Sequence, residues 1–154
     1  VKILLDIDGV LVTTPSWRNV ERHEDGFVEF NDTAKQNLAV LIEKTQAEIV
    51  LTTTHRISYS EKKWVEIFNA RGIHVTTLTK VNQASSIQDI RDRGNEILDW
   101  IDKLASNERY VIIDDDPSIN KLPNRIKKNW VKTQSHLGFD KHSLDLAVRI
   151  LLGN

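Results

Sequence analysis

Asp6 and Asp8 close the apolar run ILLDIDGV, with Gly9 directly after them, and Asp114, Asp115 and Asp116 close a second apolar run, YVII. An isolated buried carboxylate is costly to desolvate, so two buried-strand patterns that both stop on carboxylates ask for a positive charge between them. Residues two apart in an extended strand point to the same side, which lets Asp6 and Asp8 converge. Gly9 permits a sharp exit of the chain and a close approach of its backbone. Three acids in a row after YVII repel one another unless they are protonated or bridged by a cation. Oxygen donors, with no cysteine or clustered histidine, suit a hard divalent ion, magnesium first. A structural calcium site is the competing reading. Ligands drawn from separate strand ends, where an EF-hand would supply one loop, count against it.

Between the clusters lies LTTTHR. A hydroxyl on Thr52, at the end of the second strand, would sit beside the first strand's aspartates and donate to an anionic oxygen. Thr53 and the backbone N–H groups that follow would add further donors. Read alone, Thr52 to Thr54 are also ordinary strand residues. A cation is wanted as well, to neutralise substrate and nucleophile. Arg93 stands just before a helix and Lys80 lies in a polar loop. Arg93 is preferred because a helix start there lies near the strand ends, although a lone basic residue is usually just a solvated charge.

The elements that must position these groups follow from periodicity. Apolar bursts alternate with helical patterns, which predicts an α/β protein with a mainly parallel sheet. Strands are expected at residues 2–7, 47–52, 73–78, 109–113 and 129–133. Asp25 and Gly26 sit at the turn of a small hairpin. A helix capped by Asn31 or Asp32 runs to about residue 45, with Leu38, Leu41 and Ile42 as its buried stripe. A second starts at Ser58 or Ser60, buries Trp64, Ile67 and Phe68, and stops at Gly72. After a polar loop over about 80–92, a third carries Ile97, Leu98 and Ile101. Asp140 caps the last, which ends near Leu152. The whole reads as one compact three-layer domain over residues 1–154.

Composition narrows the classes. The 154 residues are 40% hydrophobic and 28% charged with a net charge of −1, which gives no global footprint for nucleic acid or an anionic membrane. The absence of cysteine removes disulfides, thiolate catalysis and cysteine-ligated zinc, and fits a reducing, cytoplasmic setting. No apolar run reaches transmembrane length, and the chain opens on a core strand in place of a signal peptide. Nothing in the sequence asks for a membrane or an obligate protein partner.

The order DIDGV, a strand ending in Thr52, a basic residue, then IIDDD resembles the four motifs of the haloacid dehalogenase-like superfamily, across nearly the whole chain. The resemblance implies a Rossmann-like sheet of about five strands in the order 3-2-1-4-5. It implies a magnesium-dependent phosphomonoester hydrolase in which Asp6 becomes transiently phosphorylated. Asp8 would be the general acid/base, its backbone carbonyl a metal ligand, and it would keep a proton near neutral pH through partial burial beside other acids. Thr52 would bind the phosphoryl group and Arg93, or Lys80, would stabilise its charge. DDDP is similar to the fourth motif of the branch that acts on phosphoprotein tails, which ranks Asp115 above Asp114 as the direct magnesium ligand. Asp116 receives no role. An aspartate two residues after the nucleophile favours phosphatase over dehalogenase.

Large caps are inserted after the first motif or between the second and third, and neither gap here has room for one. A capless, open site suits a phosphate on a macromolecule or a small substrate held by few contacts. Trp17 and Arg18, in the flap segment, are placed to touch the leaving group, although packing under the flap accounts for Trp17 equally well. RDRGNEILDWI followed by YVIIDDD further resembles phosphatase domains of bacterial RNA-repair proteins, which implies a nucleotide or polynucleotide phosphate as partner. Arg125, Lys127, Lys128 and Trp130 form a modest basic-aromatic patch, for which a solvated loop is the simpler account. Two other classes compete. One is a receiver-like phosphoacceptor module, against which the third strand offers no aspartate at its end. The other is a phosphate-binding protein without catalysis.

Overall fold

The computed structural model describes residues 1–13, 15, 18 and 21–153. Five strands, β1 (Lys2–Leu5), β2 (Glu48–Leu51), β3 (Leu78–Lys80), β4 (Tyr110–Asp114) and β5 (Trp130–Lys132), form one sheet in the order β3-β2-β1-β4-β5. Every neighbouring pair is parallel. This is the open, Rossmann-like α/β architecture expected from the sequence, and it sets β1 at the centre with β2 and β4 on either side.

Strand alternation then builds two cores. Ile3, Leu5, Ile49, Leu51, Val111 and Ile113 face one side. There they meet α1 (Asp32–Thr45), α2 (Glu61–Ala70) and α5 (Lys141–Leu152) through Leu38, Trp64 and Leu144 among others. Leu4, Val50 and Ile112 face the other side. That side is covered by α3 (Arg93–Asp102) and the short α4 (Asn124–Lys127) through Ile97, Ile101 and Ile126. Period-2 burial on both faces is why these strands read as near-continuous apolar runs. The starts of α1, α2, α3 and α5 are capped by side chains from Asn31, Ser60, Asp92 and Asp140, each accepting a backbone N–H of the first turn.

Two strands, β1 and β3, depart from expectation by more than a residue, for local reasons. β1 stops at Leu5 because the Ile7 carbonyl accepts the N–H groups of Val10, Leu11 and Val12, which folds the chain out of the sheet. The third strand begins at Leu78 and not at residue 73. The amide side chain of Asn69 takes both the N–H and the C=O of Val75, the groups a strand would have offered its neighbour.

The connection between β1 and α1 holds the expected hairpin, closed by an antiparallel bridge between Arg22 and Val28. Among the described residues it carries no inserted cap. The hairpin is fixed to the end of α2 by Arg71, whose side chain is fully buried. Its guanidinium donates to both carboxylate oxygens of Asp25, at 2.7 and 3.0 Å, and to the carbonyls of Phe27, Val28 and Ile67. It also lies over the Phe30 ring at 4.9 Å. The hydrogen bond from Arg71 holds the Asp25 carboxyl down at about 2. No helix among the described residues is long and apolar enough to cross a membrane.

Candidate active site

The carboxyl ends of the three central strands converge on one side of the sheet, where open α/β sheets bind ligands. Asp6 follows β1, Asp114 ends β4 and Asp115 follows it. One carboxylate oxygen from each lies within 4.8 Å of the others. The acids at the two ends of the chain therefore meet.

Arg93, the first residue of α3, reaches between them. Its Nη1 donates to Asp114 Oδ2 at 2.6 Å and stands 3.4 Å from Asp6 Oδ1. The start of α3 is brought this near by Gly94. Its N–H donates to Ser118 Oγ, and a Cβ there would lie 2.7 Å from the Ser118 carbonyl oxygen. Thr52, fully buried, donates its hydroxyl to Asp114 Oδ2 at 3.4 Å. Its backbone N–H still bonds Leu5, so the end of β2 is locked to the end of β1.

Gly9 is the tightest point. Its φ is +78°, and a Cβ would lie 2.1 Å from Asp115 Oδ2. The Asp115 carboxylate thus rests on the bare Cα of the chain that carries Asp6, while Thr133 Oγ1 donates to the Gly9 carbonyl at 2.8 Å. Gly9→Ala is expected to cost about 1–2 kcal/mol from the left-handed backbone alone. It should also lower turnover by on the order of 10²-fold by displacing Asp115. Thermal melts and steady-state rates on the same preparation separate the two effects.

The site opens into a cleft of about 640 Å³. It is lined by Asp6, Asp8, Gly9, Arg93, Asp115 and Asp116, by Thr54, His55, Ser135 and His136, and by Val12, Thr13, Pro15 and Val28 from the connection between β1 and α1. Thr52 and Thr53 are buried beneath this surface, and Thr53 Oγ1 is occupied in accepting the His55 N–H. Lys80 ends β3 with its ammonium donating to the Tyr59 carbonyl and does not line the cleft, so among the described residues Arg93 supplies the guanidinium there. Arg18 is not among the lining residues, and Trp17 lies outside the described residues. Asp116 caps the turn Pro117–Lys121 by accepting the Ser118 N–H.

Beneath the site Arg56, fully buried, donates to Glu96 Oε2 at 2.6 Å and to the carbonyls of Thr52 and Thr53. One guanidinium thereby joins the end of β2 to the helix that carries Arg93. In the sequence nothing marks His136, and His55 and Arg56 are marked only by standing next to the threonines in LTTTHR.

Burial, and then the charge of Asp114, pushes the Asp6 carboxyl well above the ordinary carboxylate range, with Arg93 opposing. Burial likewise raises Asp114, against the pull of Arg93, and burial followed by the charge of Asp114 raises Asp115. Burial alone would lower Arg93, but the charges of Asp6 and Asp114 carry it above its ordinary value. Asp8 behaves in the opposite way. A hydrogen bond with His55, 2.9 Å from Oδ2, lowers it below the ordinary range. Its side chain is 65% exposed. The upward shift expected for Asp8 from partial burial among acids is not found, because the hydrogen bond with His55 outweighs burial and most of the side chain faces water.

One guanidinium cannot balance three converging carboxylates whose charged forms burial already disfavours. All donors are oxygens, and hard, so the residues present fit a magnesium ion. The Asp8 side chain lies outside this cluster.

The family described as the HAD domain in Swiss Army Knife RNA repair proteins matches residues 2–144. No curated protein and no solved structure shows significant similarity to the chain.

Proposed function

The chain belongs to that family of haloacid dehalogenase-like domains, a hydrolase of phosphatase type, and from this we propose a magnesium-dependent phosphomonoesterase working through an aspartyl phosphate on Asp6. The observation that carries the reading is the meeting of Asp6, Asp114 and Asp115, with Arg93 held by the buried Asp114 and beside Asp6, under an open cleft that Asp6, Arg93 and Asp115 line.

Phosphate-monoester hydrolysis is so slow without help that the site must lower the barrier by on the order of 20 kcal/mol. Positioning and charge neutralisation supply most of this in phosphoryl transfer. Asp6 attacks phosphorus as the bond to the leaving oxygen breaks, and Asp8, protonated in the substrate complex, gives that oxygen its proton. Water then attacks the acyl phosphate while Asp8, now ionised, accepts the water's proton and returns to its starting form. Arg93 holds Asp6 in line and faces the transferring group, with Asp114 fixing the guanidinium. Thr52 secures Asp114 from below, and Thr54 and the backbone after β2 border the phosphoryl position. Asp6, Asp115 and the Asp8 carbonyl would hold magnesium, with Asp114 behind them. When bound, the ion supplies charge neutralisation for the phosphoryl oxygens.

The family's description, with the open cleft, favours a nucleotide or polynucleotide phosphate as the substrate class. The direct test is hydrolysis of p-nitrophenyl phosphate with added magnesium. Activity is expected to need the ion and to vanish with excess chelator. Stable phosphorylation without turnover would replace the reading with a phosphoacceptor module, and magnesium binding without hydrolysis of any phosphate with a binding protein.

A further inference from the structure

We propose that His55 is the positioning residue for Asp8, holding the carboxyl so that its free oxygen serves the leaving group; this rests on the phosphomonoesterase reading above. Asp8 needs such a device. Its side chain is largely exposed, and the Nε2 of His55 is the side-chain partner it meets among the described residues, at 2.9 Å on Oδ2. That contact leaves Oδ1 to the leaving oxygen.

His55 is itself held on two sides. Its backbone N–H donates to Thr53 Oγ1, which ties it to the end of β2. Its ring stands edge-on to Phe27, with centroids 5.4 Å apart. Phe27 in turn packs against Trp64 and lies beneath the buried Arg71 guanidinium. A backbone held at Thr53 and a ring set against Phe27 fix where Nε2 stands, and this geometry gives an exposed carboxylate a defined direction.

The test uses the full chain, two substrates and two substitutions. A proton from Asp8 matters most when the leaving group is a poor one, so an alkyl phosphate and p-nitrophenyl phosphate report different things. His55→Phe keeps the ring against Phe27 and removes the N–H. His55→Gln keeps a donor near the Nε2 position. His55→Phe is expected to lower kcat on the alkyl phosphate by on the order of 10²-fold and on the aryl phosphate by only a few-fold. His55→Gln should recover most of the alkyl rate. Because His55 acts through Asp8, adding His55→Phe to Asp8→Asn should cost nothing further. Equal losses on both substrates, no recovery with glutamine, or additive losses would each overturn the assignment. Wild-type protein inactive on both substrates would instead remove the phosphomonoesterase reading, and this inference with it.

Discussion

Asp6→Asn should bring turnover to background, a fall of at least about 10⁴-fold, with the fold intact. The amide fills the same space but cannot form the acyl phosphate, and Arg93 keeps its bond to Asp114. The same variant reports on electrostatics through its stability. The folded-state affinity of Asp6 for a proton is raised, chiefly by burial. A group shifted this way contributes stability below the unfolded carboxylate range, and that contribution is lost as pH rises through the elevated value. Metal-free wild type should therefore lose stability from about pH 4 upward. Asp6→Asn, with nothing to ionise there, should lose less, so its melting temperature at neutral pH should equal or exceed the wild type's. Magnesium should narrow the difference by stabilising the wild type. Paired melts across pH, with and without the ion, check this. Wild-type rates in the variant would exclude the covalent route.

Arg56→Ala should cost about 3–5 kcal/mol of stability, because it leaves the Glu96 carboxylate buried without its charge partner. Glu96 would retain the Asn82 amide as a donor, but the carbonyls of Thr52 and Thr53 would lose theirs. Replacing the pair together, as Arg56→Met with Glu96→Leu, should recover much of the stability, since a buried ion pair is often no better than an apolar pair of similar shape. Activity should not recover in step. The guanidinium spans from β2 to α3, and without it the hydroxyl of Thr52 and the guanidinium of Arg93 are no longer fixed against each other. Urea unfolding and turnover of the single and double variants would show the two quantities separating. Parallel recovery would mean that the pair serves the fold alone.

What the sequence disclosed and what it concealed divide by the range of the interactions. The sheet was legible because its central strands are buried on both faces, so each appears as an uninterrupted apolar run, and the runs of β1 and β4 end on acids. The caps at Asn31, Ser60 and Asp140 were legible because a cap is satisfied within a single turn. The start of β3 was not, since it depends on an amide at Asn69 reaching Val75. Arg56 and Glu96 lie forty residues apart in the chain, and neither looks buried until the two meet. Lys80 and Arg93 were equivalent as charges; only the fold turns one to the Tyr59 carbonyl and the other to Asp114. The electrostatics of Asp8 were misread for the same reason. Its sequence neighbours are acids and hydrophobes, but its partner in space is a histidine brought in by the adjacent strand.

The bracing of the hairpin by Arg71 bears on how molecules enter and leave. A buried guanidinium with both fork nitrogens engaged, and two rings around it, holds Asp25 to Val28 as a fixed jamb against the end of α2. Passage past that edge asks for no ordering of these residues. The leaving portion of an ester would meet Val28 as a rigid threshold.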